Sequence, residues 1–144
     1  MFPMAINVLY KTTATATGGR DGRAKTADGA LDVSLAMPKE LGGSGNGNNP
    51  EQLFAAGYAA CFLSAMKAVS SQGNHFKLPT DTTVAATVGI GPREDKGFGL
   101  VVKLDIAIPG VERAESEKLV AEAHEVCPYS HATKGNIEVT LNVL

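Results

Sequence analysis

The sequence predicts an α+β fold in which largely antiparallel sheets surround a buried central helix. Two features indicate this fold: one long uncharged segment of helical character, and alternating apolar segments that occur in groups before and after it. Strands that are grouped, rather than alternating singly with helices, are typical of α+β proteins. A chain of 144 residues has the length of one domain, so we predict a single domain over residues 1–144.

The central helix is predicted within residues 48–73. Asn49 can cap it, Pro50 suits the first helical position, and Glu51 places a carboxylate at the positive end of the helix dipole. Residues 53–66 carry no charge, and apolar side chains lie on every side of the helix. Such a helix belongs in an interior or a membrane. Because the run is too short to span a bilayer comfortably, the interior is favoured.

A hairpin is predicted before this helix. Apolar residues alternate at the start of residues 6–17, and a Thr/Ala run completes that segment. Residues 18–22 predict a turn, and residues 31–37 alternate again as the returning strand. The glycine-rich residues 42–48 lack the Lys-Ser/Thr pair of a phosphate-binding loop, so no nucleotide site is predicted there.

Three strands and a second helix are predicted after the central helix. Apolar residues alternate over residues 84–90 and 100–108, which are separated by a polar hairpin loop at 91–97. Residues 112–126 have the one-sided apolar spacing of a surface helix. Residues 137–143 alternate as a last strand.

The composition argues against several classes of partner. A formal net charge of -2 and a pI near 5.9 provide no field that attracts nucleic acid or anionic lipid. Neither a signal peptide nor a comfortable membrane span is recognised, so we expect a cytoplasmic protein, where a static disulfide is unusual. Charged residues make up 19% of the chain, below the usual quarter, which suggests that much surface is shared with another subunit.

The two cysteines are the candidates for chemistry. Cys61 lies at the centre of the predicted central helix, and Cys127 directly precedes Pro128, which should end the second helix. Taken alone, these residues leave two interpretations open, namely buried small hydrophobes or a redox pair. No metal site is predicted, because His124 and Cys127 supply only two ligands at helical spacing. The same two residues leave a Cys/His hydrolase as a minor alternative.

Three ordered segments carry a family resemblance. The segments are Gly-Gly-Arg-Asp-Gly at 18–22, Asn-Pro-Glu-Gln-Leu-Phe-Ala-Ala-Gly-Tyr-Ala-Ala-Cys-Phe at 49–62, and a block at 126–136 that begins Val-Cys-Pro-Tyr-Ser. Together they resemble the organic hydroperoxide resistance (Ohr) proteins of the larger OsmC group, over nearly the whole chain. The resemblance implies an OsmC/Ohr-like fold, an intertwined homodimer, and a thiol-dependent peroxidase without metal or bound cofactor.

The resemblance also assigns roles to four residues. It implies that Cys61 is the peroxidatic cysteine, that Cys127 is the resolving cysteine, and that Arg20 and Glu51 belong to the active site. It further implies that lipoyl groups on lipoylated proteins, or another dithiol, reduce the resulting disulfide.

These residue types suit the chemistry. A buried thiol resists ionisation, so Cys61 needs a cation such as the Arg20 guanidinium, which Glu51 can hold through paired hydrogen bonds. Ten residues separate Glu51 from Cys61, and a continuous helix would place them about 15 Å apart along its axis. Either the helix breaks near Gly57, or the site combines two subunits; we predict that Cys61 and part of the Arg20/Glu51 pair meet across a dimer interface.

Four apolar neighbours of Cys61 are predicted to line a pocket for an alkyl or fatty-acyl hydroperoxide: Phe54, Tyr58, Phe62 and Leu63. Core packing is the alternative role for these side chains. Two alternative functions also stay open. One is an OsmC-branch peroxidase with a different substrate preference, and the other is a non-enzymatic small-molecule binding module in which both thiols are structural.

Overall fold

The computed structural model describes residues 5–73 and 75–144. By its internal contacts the chain forms two compact units, Met1–Pro50 and Glu51–Leu144. We call them the N-terminal unit and the C-terminal unit.

The N-terminal unit contains a small antiparallel meander. Its strands β1 (Ala14–Thr17), β2 (Arg23–Thr26) and β3 (Asp32–Ser34) pair in the order β1-β2-β3. Arg23 on β2 makes two hydrogen bonds of 2.7 Å to the carboxylate of Asp32 on β3. Two short 3-10 helices complete the unit, at Gly19–Asp21 and Lys39–Leu41.

The predicted hairpin of this unit was wrong in two respects. Residues 5–13 form no strand, and the side chains of Ile6 and Tyr10 are 73% and 79% exposed. Alternation marks which side chains a strand would bury, but a strand also needs a neighbour for its backbone hydrogen bonds. The strand β2 was missed because Arg-Ala-Lys-Thr has almost no apolar signal, although it pairs with both β1 and β3.

The C-terminal unit is built around helix α1 (Pro50–Ser70), which is continuous over 21 residues. Its position and ends agree with the predicted central helix. One face is buried and carries Tyr58, Phe62, Ala65, Met66 and Val69. The opposite face is exposed in this chain and carries Ala56, Ala60, Ser64 and Ala68. Alanine on both faces explains why the sequence pattern showed no stripe. By length and composition α1 could also cross a membrane, a test that the core helix of a soluble protein passes equally.

A three-stranded sheet supports α1. Strands β4 (Thr83–Pro92) and β5 (Phe98–Ala107) are antiparallel, and β6 (Glu138–Val143) joins the other edge of β5 in parallel. Thus the described strand pairs are antiparallel except β5–β6, as the prediction of largely antiparallel sheets requires. The connection from β5 to β6 carries two helices, α2 (Arg113–Val126) and α3 (Pro128–Thr133). The six-residue α3 was not predicted, because it is too short to show helical periodicity.

The core of the C-terminal unit lies between α1, α2 and one face of this sheet. Alternate residues of β5 point into it, as the sequence pattern predicted. Full burial of one large apolar side chain stabilises a fold by about 1.5–3 kcal/mol. The largest fully buried apolar side chains are Tyr58, Phe62, Met66, Leu104, Ile106 and Leu119, and Cys127 is buried with them.

Candidate active site

The two cysteines are presented by different elements of the C-terminal unit. Cys61 lies in the middle of α1, whereas Cys127 is the junction residue between α2 and α3. The backbone N–H of Cys127 still bonds the carbonyl of Ala123 at 2.9 Å, but its own conformation is extended. Pro128 explains this, because a proline disfavours helical geometry in the residue before it and is well tolerated as the first residue of the next helix.

The fold brings the two sulfur atoms together. The Sγ atoms of Cys61 and Cys127 are 3.5 Å apart, and both cysteines are free thiols. Cys127 is fully buried, while Cys61 is half-buried. A disulfide has an S–S length of about 2.05 Å. The sulfurs therefore need to approach by only about 1.5 Å to bond.

The surroundings of Cys61 raise its pKa. Burial is the main cause, because it disfavours the charged thiolate, and the nearby sulfur of Cys127 raises the pKa further. The backbone N–H of Tyr129, in the first turn of α3, donates to the sulfur and opposes this rise. A thiol with a raised pKa is a poor nucleophile at neutral pH, so a reactive Cys61 requires an added positive charge.

Three aromatic rings pack against one another, and one of them belongs to Tyr129, whose backbone N–H donates to Cys61. The Phe54 ring stacks on the Tyr129 ring with centroids 5.9 Å apart, and Tyr58 meets both rings edge-on. Gly57 lets Tyr129 lie against α1, because a Cβ atom at this position would be 3.0 Å from the Tyr129 hydroxyl. Tyr129 was not among the predicted site residues, although it lies two residues after Cys127 in the motif that carried the resemblance.

The four predicted pocket residues have different environments. Tyr58 and Phe62 are fully buried in the core, whereas Phe54 and Leu63 are partly buried at its edge. Tyr58 and Phe62 therefore pack in the core, which is the alternative role considered for them. Their role in binding a substrate stays a prediction, and Phe54 is the member that stacks on Tyr129.

A chain of polar side chains also crosses the core. The Tyr58 hydroxyl lies 2.8 Å from Ser130 Oγ, and Ser130 Oγ lies 2.8 Å from His124 Nδ1. Burial lowers the pKa of His124, Lys134 lowers it further, and Glu125 partly opposes the shift. From the sequence, His124 is a candidate only as a ligand or base paired with Cys127; in the structure its Nδ1 atom is hydrogen-bonded to Ser130.

Arg20 and Glu51 occupy the two different units. Arg20 lies in the 3-10 helix Gly19–Asp21 of the N-terminal unit. Gly22 is needed to close that turn, because a Cβ atom there would overlap the carbonyl oxygen of Thr17. Glu51 lies in the first turn of α1.

The continuity of α1 excludes a helix break near Gly57, one of the two arrangements considered for the site. The helix does not break near Gly57, so Glu51 lies about 15 Å from Cys61 along the axis of the same helix. The contribution of a second subunit to the site stays a prediction.

Comparison with known proteins identifies the family. The family model described as OsmC-like protein matches residues 43–142, and an organic hydroperoxide resistance protein of Xanthomonas axonopodis pv. citri is 59% identical over 137 residues. That alignment covers 94% of this chain and 95% of the relative. This chain belongs to the OsmC/Ohr family.

Solved structures of Ohr proteins confirm the predicted fold. An organic hydroperoxide resistance protein from Legionella pneumophila is 50% identical and superposes with a TM-score of 0.90, covering 95% of this chain and 98% of that one. OhrB of Bacillus subtilis is 40% identical with a TM-score of 0.85, covering 95% and 100% of the two chains. The resemblance inferred from the three sequence motifs is thereby confirmed.

Proposed function

We propose that this protein reduces organic hydroperoxides to alcohols through a cycle of its two cysteines. The observation that carries the proposal is the 3.5 Å separation of two free sulfurs, one half-buried and one fully buried. The relatives named for organic hydroperoxide resistance support the substrate class.

The first step consumes the peroxide. The Cys61 thiolate attacks one oxygen of ROOH and the O–O bond breaks. The departing alkoxide takes a proton and leaves as the alcohol ROH, while Cys61 becomes a sulfenic acid. Because burial raises the pKa of Cys61, we assign the ionising charge to Arg20 and the orientation of its guanidinium to Glu51. The Tyr129 N–H adds one hydrogen bond to the sulfur.

The second step forms the disulfide. The Cys127 sulfur attacks the sulfur of the sulfenic acid, an S–S bond forms, and the hydroxyl leaves as water with the Cys127 proton. The short distance between the sulfurs supports a fast closure. Closure protects Cys61, because a sulfenic acid that persists reacts with more peroxide and reaches the sulfinic state.

The third step restores both thiols by exchange with an external dithiol. Because Cys127 is fully buried and Cys61 is half-buried, the incoming thiolate attacks Cys61 and Cys127 leaves. The second thiol of the reductant then attacks the reductant sulfur bound to Cys61, so Cys61 leaves as a thiolate and the reductant leaves as a cyclic disulfide. We propose a lipoyl group on a lipoylated protein as this dithiol and the cytoplasm as the compartment.

A homodimer completes the proposal. Exposed apolar side chains in residues 5–13 and the exposed alanine face of α1 support a second subunit, since large exposed apolar surface marks interaction sites. We propose that the partner subunit supplies part of the Arg20/Glu51 pair to each Cys61. The stacked rings of Phe54 and Tyr129 provide an apolar surface for the organic part of the peroxide.

A thiol count tests the reaction. One equivalent of cumene hydroperoxide is added to reduced protein, the remaining thiols are titrated, and the cumyl alcohol is measured. The proposal requires one equivalent of alcohol and the loss of both thiols. If both thiols remain, the proposed peroxidase activity is refuted, and a binding module with structural cysteines becomes the better interpretation.

The reductant is tested separately. Steady-state turnover of cumene hydroperoxide is compared with dihydrolipoamide and with reduced thioredoxin at equal thiol concentration. Faster turnover with dihydrolipoamide supports the lipoyl assignment, and faster turnover with thioredoxin refutes it.

A further inference from the structure

We propose that Tyr58, Ser130 and His124 form a buried positioning chain that holds Cys127 next to Cys61. This inference rests on the proposed two-cysteine reaction and assigns it three further residues. None of the three touches a reacting atom in the proposal. They act through the placement of α3.

Each residue of the positioning chain lies three positions from one of the two cysteines in the sequence. Tyr58 lies three residues before Cys61 on α1, His124 three residues before Cys127 on α2, and Ser130 three residues after Cys127 on α3. Tyr58 and Cys61, three positions apart within α1, lie on the same side of that helix. The hydroxyl of Ser130 on α3 joins this helix to α1 and α2, with contacts of 2.8 Å to both Tyr58 and His124.

The hydroxyl protons available in the positioning chain determine the direction of its hydrogen bonds. Thr133 uses its hydroxyl proton on the carbonyl of Ser130 at 3.0 Å, so toward Tyr58 it can only accept. If Tyr58 donates to Ser130 and Ser130 donates to unprotonated His124 Nδ1, both buried hydroxyl protons occupy 2.8 Å contacts. In the reverse direction, the Tyr58 proton is left with the 3.4 Å contact to Thr133. The best-satisfied chain therefore contains a neutral His124 with its proton on Nε2.

The surroundings of His124 agree with the neutral form. The Phe62 ring of α1 packs at 6.4 Å from the imidazole, and burial lowers its pKa. The charges that act on it are Lys134, which follows α3, and the weaker Glu125 on its own helix. Neutral His124 can accept from Ser130, as the chain requires.

The positioning chain matters most in the reduced state, when no disulfide links Cys61 on α1 to Cys127 at the start of α3. Ser130 lies in α3, which follows directly after Cys127, and the Tyr129 N–H of that helix donates to the Cys61 sulfur. If the bond between Ser130 and Tyr58 is lost, α3 is free to shift and the spacing of the sulfurs widens. We then expect slower disulfide closure, a longer-lived sulfenic acid and more sulfinic acid at Cys61.

Intact-mass analysis measures this competition directly. Reduced protein is treated with increasing cumene hydroperoxide, and the ratio of Cys61 sulfinic acid to Cys61–Cys127 disulfide is followed against peroxide concentration. We expect Ser130→Ala and Tyr58→Phe to raise this ratio roughly tenfold, the scale on which loss of a buried hydrogen bond acts. Ser116→Ala is the matched control: it removes another buried serine hydroxyl, on α2, and should leave the ratio unchanged.

The imidazole is tested with two further variants. Asn can present a polar atom near the position of Nδ1, so His124→Asn should keep the ratio close to that of the wild type. His124→Leu removes the partner of Ser130 and should behave like Ser130→Ala. This rescue by a conservative residue would not follow from a general loss of stability.

The outcomes separate the inference from the proposed function. If the wild type keeps both thiols after peroxide, the reaction itself is refuted. If the wild type closes its disulfide but Ser130→Ala and Tyr58→Phe close it equally well, the positioning role is overturned. It is also overturned if Ser116→Ala raises the ratio as much as Ser130→Ala. Should Ser130→Ala fail to fold, Tyr58→Phe decides, because it keeps the buried ring and removes only the hydroxyl.

Discussion

Formation of the Cys61–Cys127 disulfide should make the folded protein markedly more stable. The bond would close a loop between residues 66 positions apart in the sequence. In the chain-entropy estimate, a cross-link over 66 residues removes unfolded-state entropy worth about 4 kcal/mol at 25 °C. The native state should lose little of this gain to strain, because the sulfurs already lie 3.5 Å apart.

Thermal unfolding of the reduced protein and of protein treated with one equivalent of cumene hydroperoxide measures the effect. For a domain of this size, about 4 kcal/mol corresponds to a rise in Tm of roughly 10 °C. The Cys127→Ser variant is the control, since it reacts with peroxide and cannot form the bond. A wild-type Tm that is unchanged or lowered after complete disulfide formation would show that closure distorts the native packing, contrary to the geometry described above.

Three further predictions concern individual side chains. Cys61→Ser should abolish peroxide consumption, while Cys127→Ser should yield one equivalent of alcohol and then accumulate Cys61 sulfinic acid, as mass spectrometry can show. Arg20→Ala should raise the pH midpoint of Cys61 alkylation by about 1–3 units, and Arg20→Lys should give a midpoint closer to that of the wild type. An unchanged midpoint in Arg20→Ala would contradict the role of Arg20. Because the pKa of His124 is lowered from 6.5, the unfolded chain binds a proton first as the pH falls. Stability should therefore decline below about pH 6.5, and a similar decline in His124→Asn, measured by urea unfolding, would contradict this assignment.

Much of the fold could be predicted because the signals are local. Pro50 is the first residue of α1, and Pro128 ends α2 at Cys127; each proline acts through the backbone of its immediate neighbours. The alternation in β4 and β5 likewise follows from a sheet with one buried face. The roles of the two cysteines were predicted from three sequence motifs, which identify residues but do not give their positions in space.

Other features could not be predicted because they depend on distant partners. The strand expected at residues 6–10 is absent from the described chain, although its alternation is as regular as that of β4. The strand β2 forms with two charged residues among four, because β1 and β3 flank it. The parallel pairing of β6 with β5 depends on the path of the connection through α2 and α3, which determines the edge and direction at which β6 joins the sheet.

By itself the sequence determined the family, the place and ends of the central helix, and the identity of the two thiols. Only the tertiary structure decided that sulfurs 66 residues apart lie at 3.5 Å, and that Tyr58 meets Ser130 across 72 residues. The physical reason is the range of the forces involved. Capping, proline geometry and alternation act within a few residues, whereas the approach of α1 to α3 results from the packing of a whole core.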